Sequence, residues 1–191
     1  MSAPPGREAL PAVLDALAAA APTLGTGRLL CVDGPAGSGK TTLAGRVAAA
    51  VPGAVEVHTD DLLQGWSGLA GLAERLEELL RPLASGRPGR YRRWDWLADA
   101  WAETVVVDPA PLLVVEGVGS GAARCADLTT LLVWVEAPHD LRMRRGLERD
   151  GEAFAPHWER WARDEQDLFD REQTRERAQL RVDGRDGTVQ P

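Results

Sequence analysis

The stretch Leu29–Thr42, LLCVDGPAGSGKTT, constrains this chain more than any other. An apolar run is followed by Gly34, Pro35, Ala36, Gly37, Ser38, Gly39, Lys40, Thr41 and Thr42, which is G-x-x-x-x-G-K-T between a predicted strand and a predicted helix. Glycines at 34, 37 and 39 let the backbone take conformations closed to residues with a Cβ, so that successive N–H groups turn inward toward an anion. The helix that follows aims its positive end at the same point. Lys40 supplies a point charge for the outer phosphates, and the Thr41 hydroxyl is placed to hold Mg²⁺. The stretch predicts a nucleoside triphosphate site, with ATP or GTP as the ligand.

The chain around it alternates short apolar runs with helical patterns. Strands are expected near Arg28, over Ala54–His58, Leu112–Val115 and Leu131–Val135, with Leu180–Val182 as a last edge strand. Helices are expected over 6–20, Thr41–Val51, Leu69–Leu83, Pro138–Arg149 and Phe154–Arg177, and a helical segment is read from the YRRWDW patch through Trp101. Alternation of this kind predicts an α/β fold, a five-stranded parallel sheet with helices on both faces. With 191 residues and no internal repeat, one P-loop domain is expected. Residues 1–27 form its N-terminal helix and connection, and 138–177 its lid and C-terminal helices.

Net charge of −7 gives no global attraction to nucleic acid or to an anionic membrane surface, so neither is expected as a partner. Arg7, Glu8 and Asp15 interrupt the apolar N-terminal stretch, and no run is long enough to span a bilayer. The two cysteines, Cys31 and Cys125, show neither metal-ligand spacing nor a disulfide framework. A cytoplasmic protein is expected, and a homo-oligomer is left open.

In an open parallel sheet, ligands bind at the carboxyl ends of the strands. Besides the phosphate loop, three polar clusters fall at such ends. Asp60 and Asp61 follow the second strand, where a carboxylate can take the proton of an attacking hydroxyl. Either could be the base, and either suits a helix N-cap before Leu62. Glu116 ends LLVVE, where an acid can hold Mg²⁺ directly or through water. The helix after Glu136 carries Arg142, Arg144, Arg145 and Arg149, with Arg145 and Arg149 on one face, suited to the charge of a transferring phosphoryl group. Tyr91, Arg93 and Asp95, within YRRWDW, combine an aromatic face, a guanidinium and an acid suited to a ring and a sugar.

Together GPAGSGKTT, Asp60 in HTDDL, VVEG at Val114–Gly117 and RMRRGLERD at Arg142–Asp150 resemble the uridine kinase family of P-loop kinases, to which phosphoribulokinases and pantothenate kinases are related. The resemblance runs from about Arg28 to Val182. It implies that Asp60 is the general base for a sugar hydroxyl, that Asp95 belongs to the base- and ribose-binding stretch, and that Arg142, Arg145 and Arg149 form a lid. It implies Mg²⁺-dependent transfer of the γ-phosphate of ATP or GTP to a nucleoside hydroxyl. Three features depart from the family pattern. Leu62-Leu63-Gln64 stands where an aromatic residue usually follows the aspartate, Trp94 and Trp96 flank Asp95, and GEAFAPHWERW follows the lid. The changes fall on the acceptor side. A nucleoside monophosphate, sugar or vitamin acceptor is therefore an alternative, as is an NTP-binding switch or ATPase acting on a partner protein.

Overall fold

A computed structural model describes residues 8–151 and 155–190, with the side chains of 149, 150 and 155 outside the description. Eight strands and six α-helices follow one another in it. They are α1 (Ala9–Ala19), β1 (Arg28–Asp33), α2 (Lys40–Ala50), β2 (Val55–His58), α3 (Leu72–Ala84), β3 (Gly89–Asp95) and β4 (Ala100–Val107), then β5 (Leu112–Glu116), β6 (Leu131–Glu136), α4 (His139–Asp150), α5 (Ala155–Glu172), α6 (Thr174–Arg177), β7 (Leu180–Asp183) and β8 (Thr188–Val189).

The main sheet has the order β2-β5-β1-β6-β7-β8. Its first five strands are parallel, with Leu30 opposite both Val114 and Leu131. The expected five strands are all present. A sixth, β8, was not expected, and it runs antiparallel to β7. Gly187, at φ +73°, donates its N–H to Asp183 O and closes the turn that makes this return.

Alternation along the strands sends side chains to two apolar layers. Leu30, Val32, Val114, Val133 and Val135 pack with Val13 and Leu17 of α1 and with Leu43 and Val47 of α2. Leu29, Cys31, Val115, Leu132 and Trp134 pack on the other side with α3 and α5. Both faces of every central strand are covered, which is why these runs carry no polar alternation. In α3, Leu72, Leu76, Leu79, Leu80 and Leu83 are buried at helical spacing.

Three sequence expectations need correction. The segment from Tyr91 to Trp101 is not helical but the first half of the β3–β4 hairpin, a separate two-stranded sheet. Thr104, Val105, Val106 and Val107, β-branched throughout, pair with Arg92 to Gly89 and fix the strand choice. Trp94 meets Trp101 edge-to-face at 5.0 Å across the pair. The α-helix expected from Leu69 begins at Leu72, because Gly65, Gly68 and Gly71 hold the preceding turns in a 3₁₀ path. The long C-terminal helix is divided at Gln173, whose φ of +49° breaks the helical backbone between α5 and α6. Phe154, the expected start of that helix, lies outside the described residues.

Leu76 is fully buried between α3 and the sheet. Leu76→Ala is expected to lower stability by about 2–5 kcal/mol, read from the midpoint of a urea unfolding curve with an unchanged slope.

Candidate functional site

The site is built at the carboxyl ends of β1, β2, β5 and β6. Behind β1 the chain passes through Gly34, Gly37 and Gly39 with φ of +140°, +76° and +104°. A Cβ at Gly34 would lie 2.0 Å from Val135 O, and one at Gly37 would lie 2.4 Å from Arg142 O. These two glycines therefore permit close approach of β6 and of α4 to the loop, as well as its curvature. Gly39 O accepts the N–H of Leu43 (3.3 Å) as α2 begins. Lys40 is buried and donates from Nζ to Pro35 O at 2.9 Å, which draws the loop into a ring. Burial lowers the Lys40 pKa, while Glu116, Glu165, Asp33 and Asp60, largest first, raise it. The Ser38 hydroxyl is buried with no hydrogen-bond partner among the described residues, an unmet polar group in the cradle itself. Thr41 and Thr42 are exposed on the first turn of α2.

Asp33, the last residue of β1, was not singled out from sequence. It is fully buried. Its Oδ1 accepts the N–H groups of Gly34 (2.7 Å) and Gly119 (2.9 Å), and its Oδ2 accepts that of Gly121 (2.8 Å). Burial raises the carboxyl pKa to about 6 against the lowering effect of these three bonds. The alternating glycines of Gly117-Val118-Gly119-Ser120-Gly121 were the available signal, since such a run lets successive N–H groups converge.

Glu116 ends β5, buried, and its Oε1 accepts the Thr41 hydroxyl at 3.2 Å. The same oxygen lies 2.6 Å from His58 Nδ1, and this bond raises the His58 pKa to about 9. His58, which sequence reading passed over, thus stands beside the Thr41–Glu116 pair. An exposed hydroxyl and a carboxylate form an all-oxygen donor set of the kind that suits Mg²⁺ when phosphate and water fill its remaining positions. Among the described residues no cluster of three or more His, Cys, Asp or Glu residues forms a metal cage.

Asp60 and Asp61 occupy a 3₁₀ turn directly after β2. Asp60 is among the carboxylates whose charge raises the Lys40 pKa. Asp61 instead accepts from the Tyr91 hydroxyl at 3.5 Å. Burial first, then Asp61, raises the Tyr91 pKa to about 12. Neither aspartate caps an α-helix. Arg93 pairs with Glu103 at 2.8 Å and with Asp95 at 3.5 Å. Asp95 Oδ1 also accepts the N–H groups of Leu97 and Ala98, both at 3.0 Å. Here Arg93 and Asp95 serve the hairpin and its turn.

An aromatic group not foreseen from sequence gathers beside Asp60. Trp66 stacks on His157 (4.7 Å, 12° between planes) and meets the edges of Trp96 (5.3 Å) and Trp161 (5.8 Å). Trp96 donates from Nε1 to Asp60 O at 3.1 Å. Aromatic surface therefore comes from Trp66, Trp96 and His157, in place of a ring immediately after Asp60.

The arginine helix α4 rests on the loop. Arg142 Nη1 donates to Ala36 O (3.3 Å) and Glu165 Oε1 (3.1 Å), and Nε donates to Ala137 O (3.2 Å). Arg145 donates to Gly37 O (3.3 Å), Ser38 O (3.4 Å) and Gly184 O (3.0 Å). Arg149 belongs to α4, but its side chain lies outside the described residues. Beside this helix, a cavity of ≈ 540 Å³ is lined by Pro35, Trp134, Glu136, Arg142, Arg175 and Arg185 among others. Glu165, on α5, was read from sequence only as part of a helix. It is 2% exposed, and its Oε2 accepts the Ala36 N–H at 2.9 Å.

A parallel sheet, a glycine-rich anion loop opening a helix from its central strand, and a carboxylate ending the neighbouring strand define a P-loop nucleotide-binding fold. Solved structures share it. A Bacillus stearothermophilus protein described as a possible uridine kinase aligns with a TM-score of 0.57 at 18% identity, over 89% of this chain and 98% of its own. A Silicibacter sp. TM1040 protein described as a candidate fructose transport system kinase aligns with a TM-score of 0.53 at 20% identity, over 78% of this chain and 85% of its own. At these identities the likeness is one of fold, and the fold is the P-loop kinase fold that the sequence resemblance implied. No protein-family model and no curated protein sequence matches the chain.

Asp33→Ala would leave the N–H groups of Gly34, Gly119 and Gly121 without their acceptor. At about 1–3 kcal/mol for each buried group left unpaired, a loss of several kcal/mol is expected in chemical denaturation. Asp33→Glu is expected to recover little of it, because a longer side chain does not fit the enclosed site.

Proposed function

We propose that the protein is a small-molecule kinase that moves the γ-phosphate of ATP or GTP to a hydroxyl group, with a nucleoside as the acceptor. The observation that carries this reading is the setting of Lys40. It lies in the anion loop within electrostatic reach of both Asp60 and Glu116, beneath a helix that brings Arg142 and Arg145 onto the loop. An acid for a proton, a lysine for the phosphates and a covering set of guanidiniums are the parts that phosphoryl transfer requires.

In this reading the loop amides and Lys40 hold the donor's outer phosphates. The Ser38 hydroxyl, without a partner among the described residues, and the exposed Thr41 fit an anion and its counter-ion in the cradle. Thr41 and Glu116 would hold Mg²⁺, which when bound neutralises phosphate charge. Asp60 accepts the acceptor's hydroxyl proton while that oxygen bonds to the γ-phosphorus and the bond to the β-phosphate oxygen breaks. Asp60 is preferred to Asp61 because its charge acts on Lys40, while the Tyr91 hydroxyl donates to Asp61. Arg142 and Arg145 offset charge on the transferring group, and α4 over the loop keeps water from competing as acceptor. Trp66, Trp96 and His157 near Asp60 favour a ring-bearing acceptor. Tyr91 and Asp61 border the same region, with Arg93 and Asp95 holding the hairpin that carries Tyr91.

A sugar acceptor is the second reading, favoured by the likeness to the Silicibacter protein. The two buried free thiols, Cys31 and Cys125, suit a reducing cytoplasm. Among the described residues no helix is long and apolar enough to cross a membrane.

The expected outcome is Mg²⁺-dependent formation of ADP or GDP that rises strongly with one class of small acceptor. A panel of nucleosides, nucleoside monophosphates and sugars, run with each donor, measures it. Turnover that ignores every acceptor, or that needs a protein partner, would establish the switch or ATPase reading instead. Asp60→Asn is expected to lower turnover by a factor of about 10²–10⁴, the usual worth of a general base, with donor affinity within about twofold. Full activity in Asp60→Asn would move the role of base to another group. Lys40→Ala is expected to weaken donor binding itself, read by calorimetry.

A further inference from the structure

Glu165 has no place in the scheme above, yet it is the most enclosed carboxylate that α5 brings to the phosphate loop. Its two oxygens are divided between the two halves of the site. Oε2 accepts the Ala36 N–H of the loop at 2.9 Å, and Oε1 accepts Arg142 Nη1 of the covering helix at 3.1 Å. Arg142 Nη1 also reaches Ala36 O at 3.3 Å, so carboxylate, guanidinium and the backbone of one residue, Ala36, form a closed ring of hydrogen bonds. The Arg142 side chain is 12% exposed and lies over the Trp158 ring at 5.8 Å, so α5 supports it from a second side. Burial raises the Glu165 pKa against the pull of Ala36, Lys40 and Arg142.

A buried carboxylate near a site for phosphate is unfavourable unless it does something there, because it repels the ligand and loses its hydration. Its cost is offset here by bonds that fix a flexible arginine in one orientation. Ala36 precedes the amides of Gly37–Thr41 that lead into α2, and Glu165 is one of the carboxylates that raise the Lys40 pKa. Arg142 and Glu165 thus meet the cradle at Ala36, ahead of its inward-turned amides, which in the donor-site reading is the end that takes the last phosphate of a triphosphate.

We propose that Glu165 is a positioning residue for that last phosphate, acting through Arg142 and the Ala36 amide. The proposal rests on the reading of the loop as a donor triphosphate site. It makes α5 the third wall of the phosphate site, after the loop and α4. It also means that recognition of a triphosphate over a diphosphate depends on a residue that never touches either. Preordering Arg142 lowers the entropy lost when the phosphate arrives.

The test needs no acceptor. Affinities for ADP and for the non-hydrolysable triphosphate AMPPNP are measured by calorimetry with Mg²⁺, on the full chain and on Glu165→Gln, Arg142→Ala and the double variant. The wild type is expected to prefer AMPPNP to ADP. Glu165→Gln is expected to reduce that preference about tenfold with ADP affinity within about twofold. The double variant is expected to resemble Arg142→Ala, since one residue acts through the other. Equal loss of both ligands in Glu165→Gln would assign Glu165 to loop integrity alone and overturn the proposal. So would an unchanged preference, or additive losses in the double variant. If Glu165→Gln does not fold, by circular dichroism and melting temperature, Arg142→Ala decides, and a preference as large as in the wild type overturns the proposal. A wild type that binds neither nucleotide would overturn the donor-site reading itself, a distinct outcome.

Discussion

The Asp33 carboxylate is the interaction on which the rest of the site depends. Three backbone N–H groups from two glycine-rich loops end on it in a fully buried pocket. One loop continues into Lys40 and Thr41, and the other follows Glu116. A single charge at the end of the central strand thus sets the distance between the phosphate cradle and the strand end that carries the metal-binding acid of the proposed scheme. It adds to the pairing of β1 with β5 and to the Gly117 N–H bond to Val32 O, which already bring the two loops together. The low dielectric around the carboxylate strengthens its bonds and makes each of them expensive to lose.

From that fixed point the site is assembled by close backbone approach. Gly34 lies against Val135 O, Gly37 against Arg142 O, and Gly184 against Ser38 O, each nearer than a Cβ would allow. β6, α4 and the end of β7 therefore press on the phosphate loop from separate directions. α5 adds Glu165 from a further side. The loop is shaped by its neighbours as much as by its own glycines, and its ring of peptide groups is closed by the Lys40 bond to Pro35.

Much of this was legible in the sequence, for identifiable reasons. Leu29–Val32, Leu112–Val115 and Leu131–Val135 are apolar without alternation because both faces of a central parallel strand are buried, so strands and parallel sheet could be read together. The cradle could be read because its chemistry forces adjacent residues into a fixed order. The hairpin could not be read as easily. YRRWDW has no strong local preference, and its strand form is decided by the β-branched run Thr104–Val107 that it pairs with. Asp33, His58 and Glu165 escaped because their partners are distant in sequence. Asp33 meets Gly119 and Gly121, His58 meets Glu116, and Glu165 meets Ala36 and Arg142. A lone Glu on an amphipathic helix carries no mark of the peptide it will bind. The preference for Asp60 over Asp61 in the proposed scheme is of the same kind, since it turns on which side chain Tyr91 engages.

The β3–β4 hairpin shares no strand pairing with the main sheet. Its ladder is closed on itself, and its contacts with the turn after β2 include Trp96 Nε1 to Asp60 O and the Tyr91 hydroxyl to Asp61. Residues on it can change without breaking any backbone bond of the sheet that supports the phosphate loop. In the proposed scheme, donor handling and the surroundings of Asp60 are in this sense mechanically separate parts. A scaffold divided this way can exchange the molecules it accepts while its phosphate chemistry stays the same.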